Sequence, residues 1–137
     1  MIKYKKVLPN AKQPKAMTSG AAGLDMYAAA IEETATTVIY DTGIAIQLHA
    51  NTAGLLLPRS STYKSGQILS NSCGLVDSDY RGTIKFIYYK IPGSTKFEVG
   101  DRIGQLLIIK HEAPWLVESA ELDSTERGEG SMGSTGK

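Results

Sequence analysis

At 137 residues, 42% apolar and 21% charged, the chain has the make-up of one globular domain, large enough to bury a core without disulfides or a structural metal. A formal net charge of +1 supplies no long-range field for a polyanion, so no nucleic-acid partner is expected, and the single cysteine, Cys73, excludes both an intramolecular disulfide and a zinc-thiolate cluster within one chain. No apolar run suits a bilayer, and Lys3, Lys5 and Lys6 lead into Pro9, Asn10 and Lys12 instead of the apolar stretch of a secretory signal; the expectation is no membrane partner and a cytoplasmic setting, with a nucleus or a phage- or virus-infected cell equally compatible.

Helical periodicity is weak, whereas short alternating runs recur between turn formers, which predicts an all-β sandwich or barrel. In chain order, the turn Asp41-Thr42-Gly43 leads into a strand over Gly43 to His49 that places Ile44, Ile46 and Leu48 on one face. Ala53-Gly54 reads as a second turn, and Gly54-Leu55-Leu56-Leu57 as a strand buried on both faces. Ser60 to Ser65, closed by Gly66, is the best helix, little more than one turn. Thr83 to Tyr89 alternates again, with Ile84, Phe86 and Tyr88 on one side, and the turns Pro92-Gly93 and Val99-Gly100-Asp101 precede a second continuous apolar run, Ile103 to Ile109. Beyond about Asp123 four glycines and one large apolar residue, Met132, leave nothing to build a core with; residues 1–122 are expected to form the β core and 123–137 an arm that either stays disordered or orders on a ligand.

Five polar, glycine-punctuated clusters fall between these runs: Ala22 to Ala28, Pro58-Arg59-Ser60-Ser61, Asn71 to Gly82, Gly100 to Gln105, and Arg127 to Gly136. Guanidinium groups bind phosphate bidentately, and hydroxyls and glycine-flanked amides add neutral donors, so the content suits a phosphate-rich substrate. Gly136-Lys137 is no P-loop, because no Ser/Thr and no helix follow.

Taken together and in order, the clusters resemble the five motifs of the trimeric dUTPase family, over about Ala21 to Gly136, most specifically in Asn71-Ser72-Cys73-Gly74-Leu75-Val76-Asp77-Ser78-Asp79-Tyr80-Arg81-Gly82. The resemblance implies a jelly-roll-like β fold and hydrolysis of dUTP to dUMP and pyrophosphate with Mg²⁺, which limits uracil incorporation into DNA and supplies dUMP for dTMP synthesis. It also implies a homotrimer whose active sites are each shared by all three chains.

Residue by residue, the resemblance implies that Asp77 is the general base for a water attacking the α-phosphorus. Asp79 would share its strand face if the segment were extended, and only the family match favours Asp77. Tyr80 would pack under the deoxyribose and exclude a 2′-hydroxyl; Asn71 would read the uracil edge, with main-chain groups of Leu75, Val76 and Lys85 completing the readout. Arg59, Ser60, Ser61, Gln105, Arg127, Ser134 and Thr135 would contact the phosphates; Ser61, commonly glycine in the family, either adds a hydroxyl there or caps the short helix. Met132 stands where the family usually stacks a phenylalanine on uracil, and a thioether keeps part of such a contact. Asp25 would act on the metal through water, since Mg²⁺ retains several waters and takes phosphate oxygens readily. dCTP deaminase shares the fold and an Arg-Ser-Ser motif, but its chemistry needs a glutamate in the base pocket, and none is suitably placed near Asn71 to Tyr80.

Overall fold

The computed structural model describes residues 1–112 and 115–130. Its strands are β1 (Lys3–Lys6), β2 (Leu24–Tyr27), β3 (Ala30–Glu33), β4 (Thr37–Asp41), β5 (Ile44–Gln47), β6 (Thr52–Leu57), β7 (Ile68–Leu69), β8 (Gly74–Val76), β9 (Lys85–Tyr89) and β10 (Arg102–Lys110), with one 3₁₀ turn over Thr62–Ser65. Two four-stranded sheets, β2-β10-β6-β8 and β3-β4-β9-β7, enclose the core, and β1 pairs with β5 beside them. All described pairings are antiparallel. This is the expected all-β, jelly-roll-like sandwich.

Alternation explains the second sheet. Val38 and Tyr40 of β4 face Tyr88 and Phe86 of β9 in register, and all four are buried while their sequence neighbours are not. Tyr40, Tyr88 and Phe97 meet edge to face with ring centroids 5.5 to 6.0 Å apart, a geometry the ring quadrupoles favour. Each buried hydroxyl is satisfied: Tyr88 Oη donates to Ile103 O at 2.6 Å, and Tyr40 Oη donates to Gln67 Oε1 at 3.0 Å while accepting from Phe97 N–H. Burial pushes the Tyr88 phenol up to about 12, and it raises Tyr40 as well.

Four local expectations change. Ala53-Gly54 is not a turn but the middle of β6, where Gly54 lies against Leu106 so closely that a Cβ would come within 2.7 Å of its Cδ1. The helix is shorter than Ser60 to Ser65, and Ser61, its N-cap, makes no side-chain capping bond; Thr62 Oγ1 instead accepts from Arg59 N–H at 3.1 Å. The apolar runs of β6 and β10 pair with each other over Thr52 to Leu57, but only one face is sealed within the chain, with Leu55, Leu57, Leu107 and Ile109 half-buried on the other. Asp77 and Asp79 do not share an extended face, because Tyr80 N–H donates to Asp77 O at 3.2 Å and closes a turn over Asp77 to Tyr80.

Candidate active site

The edges of the two sheets create the first half of the site. β8 is the outermost strand of its sheet, so its peptide groups on the side away from β6 lack a strand partner, and the start of β9 lies beyond the short reach of β7. Between them is a cavity of about 230 Å³ lined by Asn71, Gly74 to Asp77, Tyr80, Thr83 to Lys85 and Leu56. It gathers six of the expected residues, Asn71, Leu75, Val76, Asp77, Tyr80 and Lys85, in one place. Among the described residues Asp77 is the one carboxylate in its lining, and no glutamate is there.

Local folding sets these side chains. Ser72 adopts φ 57° after a turn closed by Ser72 N–H to Leu69 O, which brings Asn71 to the cavity rim. Tyr80, 45% exposed, lies open to a ligand and not in the core, and its hydroxyl donates to Thr83 O at 3.2 Å. A Cβ on Gly82 would overlap that hydroxyl and ring, so a glycine there is what lets the ring take this position. Lys85 Nζ is drawn 3.6 Å from Asp41 Oδ2, whose carboxylate also accepts from Thr83 Oγ1 and Gly43 N–H. The lysine side chain is thus committed to the scaffold, leaving its main chain for the cavity.

The phosphate-binding candidates form a second group. Asp25 and Gln105 are direct partners across β2 and β10, and Gln105 also pairs with Leu57 of β6, next to Pro58-Arg59. Buried Asp25 lies between two guanidinium groups: Arg102 Nη1 donates to Oδ2 at 3.0 Å, and Arg59 Nε lies 3.5 Å from Oδ1. The carboxylate orients both arginines and offsets part of their charge, leaving their outer N–H groups for an anion. Gln105 Nε2 donates to Pro58 O at 3.1 Å, and its Oε1 lies where a Cβ on Gly23 would come within 2.7 Å.

Arg102 lies in the Gly100 to Gln105 cluster, where an arginine reads equally well as a surface ion pair, and the resemblance assigns it no role; its pairing with Asp25 makes it a further candidate. Its signal is visible only once β2 and β10 pair, because Asp25 lies 77 residues away.

A metal ion would find few ligands here. No group of three His, Cys, Asp or Glu side chains is arranged for one among the described residues, and both Asp25 oxygens already face arginines. The donor set fits a Mg²⁺ carried by phosphate oxygens and water, touched by Asp25 at one remove.

Within one chain the two groups do not form one site. Arg59 and Ser60 line a separate cavity of about 550 Å³ with Tyr63, Ile68 and Ile91, and none of the phosphate candidates among the described residues lines the cavity that holds Asp77. Ser61 stays half-buried beside the 3₁₀ turn. Arg127 is exposed and turns back on its own segment, Nε donating to Gly130 O at 2.9 Å. Met132, Ser134 and Thr135 lie outside the described residues.

Known proteins are similar to this chain in sequence and in fold. The family model described as dUTPase matches residues 9–136. The deoxyuridine 5'-triphosphate nucleotidohydrolase of Acinetobacter baumannii is 41% identical over 132 residues, covering 90% of this chain and 87% of that protein. The protein of the same name from Helicobacter pylori is 37% identical over 98% of this chain and 96% of its own. Among solved structures, the dUTPase of Staphylococcus bacteriophage 80alpha with dUpNHpp superposes with a TM-score of 0.86 at 25% identity, covering 100% of this chain and 99% of that one. A mutant dUTPase from phage phi11 of S. aureus, described as coordinating a structural Mg(II) ion, shares the fold at a TM-score of 0.77 and 18% identity, over 88% and 97% of the two chains.

Proposed function

This chain belongs to the dUTPase family and is a dUTP diphosphatase, and on that premise we propose that it uses Asp77 as the base that turns a water on the α-phosphorus of dUTP. The observation that carries this reading is the position of Asp77, the one carboxylate in a cavity that also offers Asn71, the free edge of β8 and Tyr80. Asn71 and the peptide groups of Leu75, Val76 and Lys85 hold the uracil edge, and the walls they form leave no room for a 5-methyl group. Tyr80 lies under the deoxyribose and stops a 2′-hydroxyl. The Asp77 carboxylate accepts a proton from a water as its oxygen bonds to the α-phosphorus and the bond to the α,β-bridging oxygen breaks, releasing dUMP and pyrophosphate.

Arg59 and Gln105, with Ser60 and Ser61 beside them, hold the phosphates, and Asp25 keeps Arg59 and Arg102 oriented for them. When bound, Mg²⁺ neutralises charge on the leaving pyrophosphate. Arg127, Ser134 and Thr135 grip the β- and γ-phosphates from an arm closing over the nucleotide, with Met132 against the uracil. The family resemblance implies a ring of three chains in which each site draws on all of them, and the separation of the Asp77 cavity from the arginine pair in one chain supports it. The reaction limits uracil incorporation into DNA and supplies dUMP for dTMP synthesis, in the cytoplasm.

Turnover in ¹⁸O-labelled water with Mg²⁺, offered dUTP, dCTP, dTTP and UTP in parallel, tests the reading. Label in dUMP and turnover of dUTP alone are expected. Label in pyrophosphate would rule out attack at the α-phosphorus, and ammonia from dCTP would point to deamination.

A further inference from the structure

We propose that Arg81 is a positioning residue: its guanidinium clamps the turn that presents Asp77 and Tyr80, and so governs both the rate of hydrolysis and the rejection of ribonucleotides. The inference rests on the roles given to those two residues above.

The stretch that needs holding is the link from the end of β8 at Val76 to the start of β9 at Lys85. From Asp77 to Thr83 its peptide groups make one described backbone hydrogen bond, the 3.2 Å contact from Tyr80 N–H to Asp77 O. A turn with so little ladder support can open locally, and it carries two groups whose positions the chemistry needs. Arg81 supplies what the ladder does not. Its Nη1 donates to Ser78 O and to Tyr80 O, both at 2.8 Å, so one nitrogen with two hydrogens ties together both sides of the turn. Both are charge-assisted bonds of short length.

Among the described residues no acidic side chain draws this guanidinium away. No carboxylate lies within ion-pair distance of Arg81 among the described residues, and the cavity it borders with β1 and β5 brings Lys3, Lys5 and Gln47, of which the two lysines repel it. The charge is therefore directed at the two carbonyls. The Tyr80 hydroxyl bonds Thr83 O and its ring fills the space above Gly82, but the backbone that carries the ring is held through Tyr80 O by Arg81, so releasing the turn shifts the ring's base as well as Asp77. Lysine cannot replace the fork fully: its side chain is one atom shorter, and its ammonium offers a point charge in place of a planar pair of N–H groups.

The full chain carrying Arg81→Ala or Arg81→Lys, assayed with dUTP and UTP in Mg²⁺, separates this role from simple charge. Arg81→Ala is expected to lose about 10- to 100-fold in kcat, as a small misplacement of reacting groups does, and its preference for dUTP over UTP should fall, with Arg81→Lys between it and wild type. Amide hydrogen exchange should quicken at Tyr80, the amide of the turn with a described backbone partner, while the melting temperature holds. A rise in KM with kcat and the dUTP/UTP preference unchanged would make Arg81 a phosphate contact and overturn the proposal, as would unchanged kinetics or unchanged exchange. Asp77→Asn run alongside isolates the premise: full turnover by that variant would remove the base assignment, whereas the exchange pattern of Arg81→Ala reads the clamp without any catalysis.

Discussion

Gly82 makes room for the ring of Tyr80. The space a Cβ would fill is occupied by the Tyr80 hydroxyl and ring, and the ring is half in solvent, so an added methyl moves the tyrosine without touching the core. Gly82→Ala should therefore raise kcat/KM for UTP relative to dUTP by about tenfold, the scale at which one methyl-sized steric change acts, with little loss of melting temperature; an unchanged ratio would mean that the ring position does not set sugar choice. Residue types in the Asn71 to Gly82 cluster were legible because a dense local pattern carries them. Arg102 was not, because its meaning depends on Asp25, a partner far off in sequence. Ser61 also reads differently in the fold: a serine at a helix start invites a side-chain cap, but here the Lys64 amide donates to Ser61 O and the hydroxyl makes no capping bond.

Among the elements, legibility follows alternation. β5 and β9 were readable from Ile44, Ile46, Phe86 and Tyr88, whereas β1 is Lys-Tyr-Lys-Lys with every residue exposed, held by register with β5 and carrying no apolar period of its own. β7 and β8, of two and three residues, are too short to show a period at all. The β4-β9 pair also gives the fold an alkaline limit. Tyr88, at 0% exposure, titrates at about 12 because burial disfavours the phenolate, whereas an unfolded tyrosine ionises near its ordinary value of 10.0. The folded state binds this proton more tightly, so the contribution is fully present below pH 10 and is lost as pH rises through about 12. Urea midpoints should fall over that interval, and Tyr88→Phe should flatten the fall; an equal slope in the variant would place the alkaline sensitivity elsewhere.

The whole molecule presents a division that one chain does not close. The cavity with Asn71, Asp77 and Tyr80 sits at the edge of β8, and the Asp25, Arg59, Arg102 and Gln105 group sits where β2, β10 and β6 run side by side. β6 and β10 leave Leu55, Leu57, Leu107 and Ile109 half-covered, and residues 115–130 lie outside every sheet with Trp115, Leu116 and Leu122 exposed. Order along the chain revealed the five motifs, but one chain does not bring their described residues into one cavity, and sequence periodicity does not specify what joins them. In the proposed ring, Asp77 of one chain acts on dUTP whose phosphates are held by Arg59 and Gln105 of another. Co-expressing Asp77→Asn and Arg59→Ala chains under separate tags, and purifying the assembly that carries both tags, tests this most directly. Each variant alone should be inactive. A closed ring of three that contains both variants keeps one intact site, so the mixture should regain about a third of the wild-type dUTP turnover. A mixed assembly as inactive as its parents, or Asp77→Asn turning over dUTP by itself, would contradict the claim.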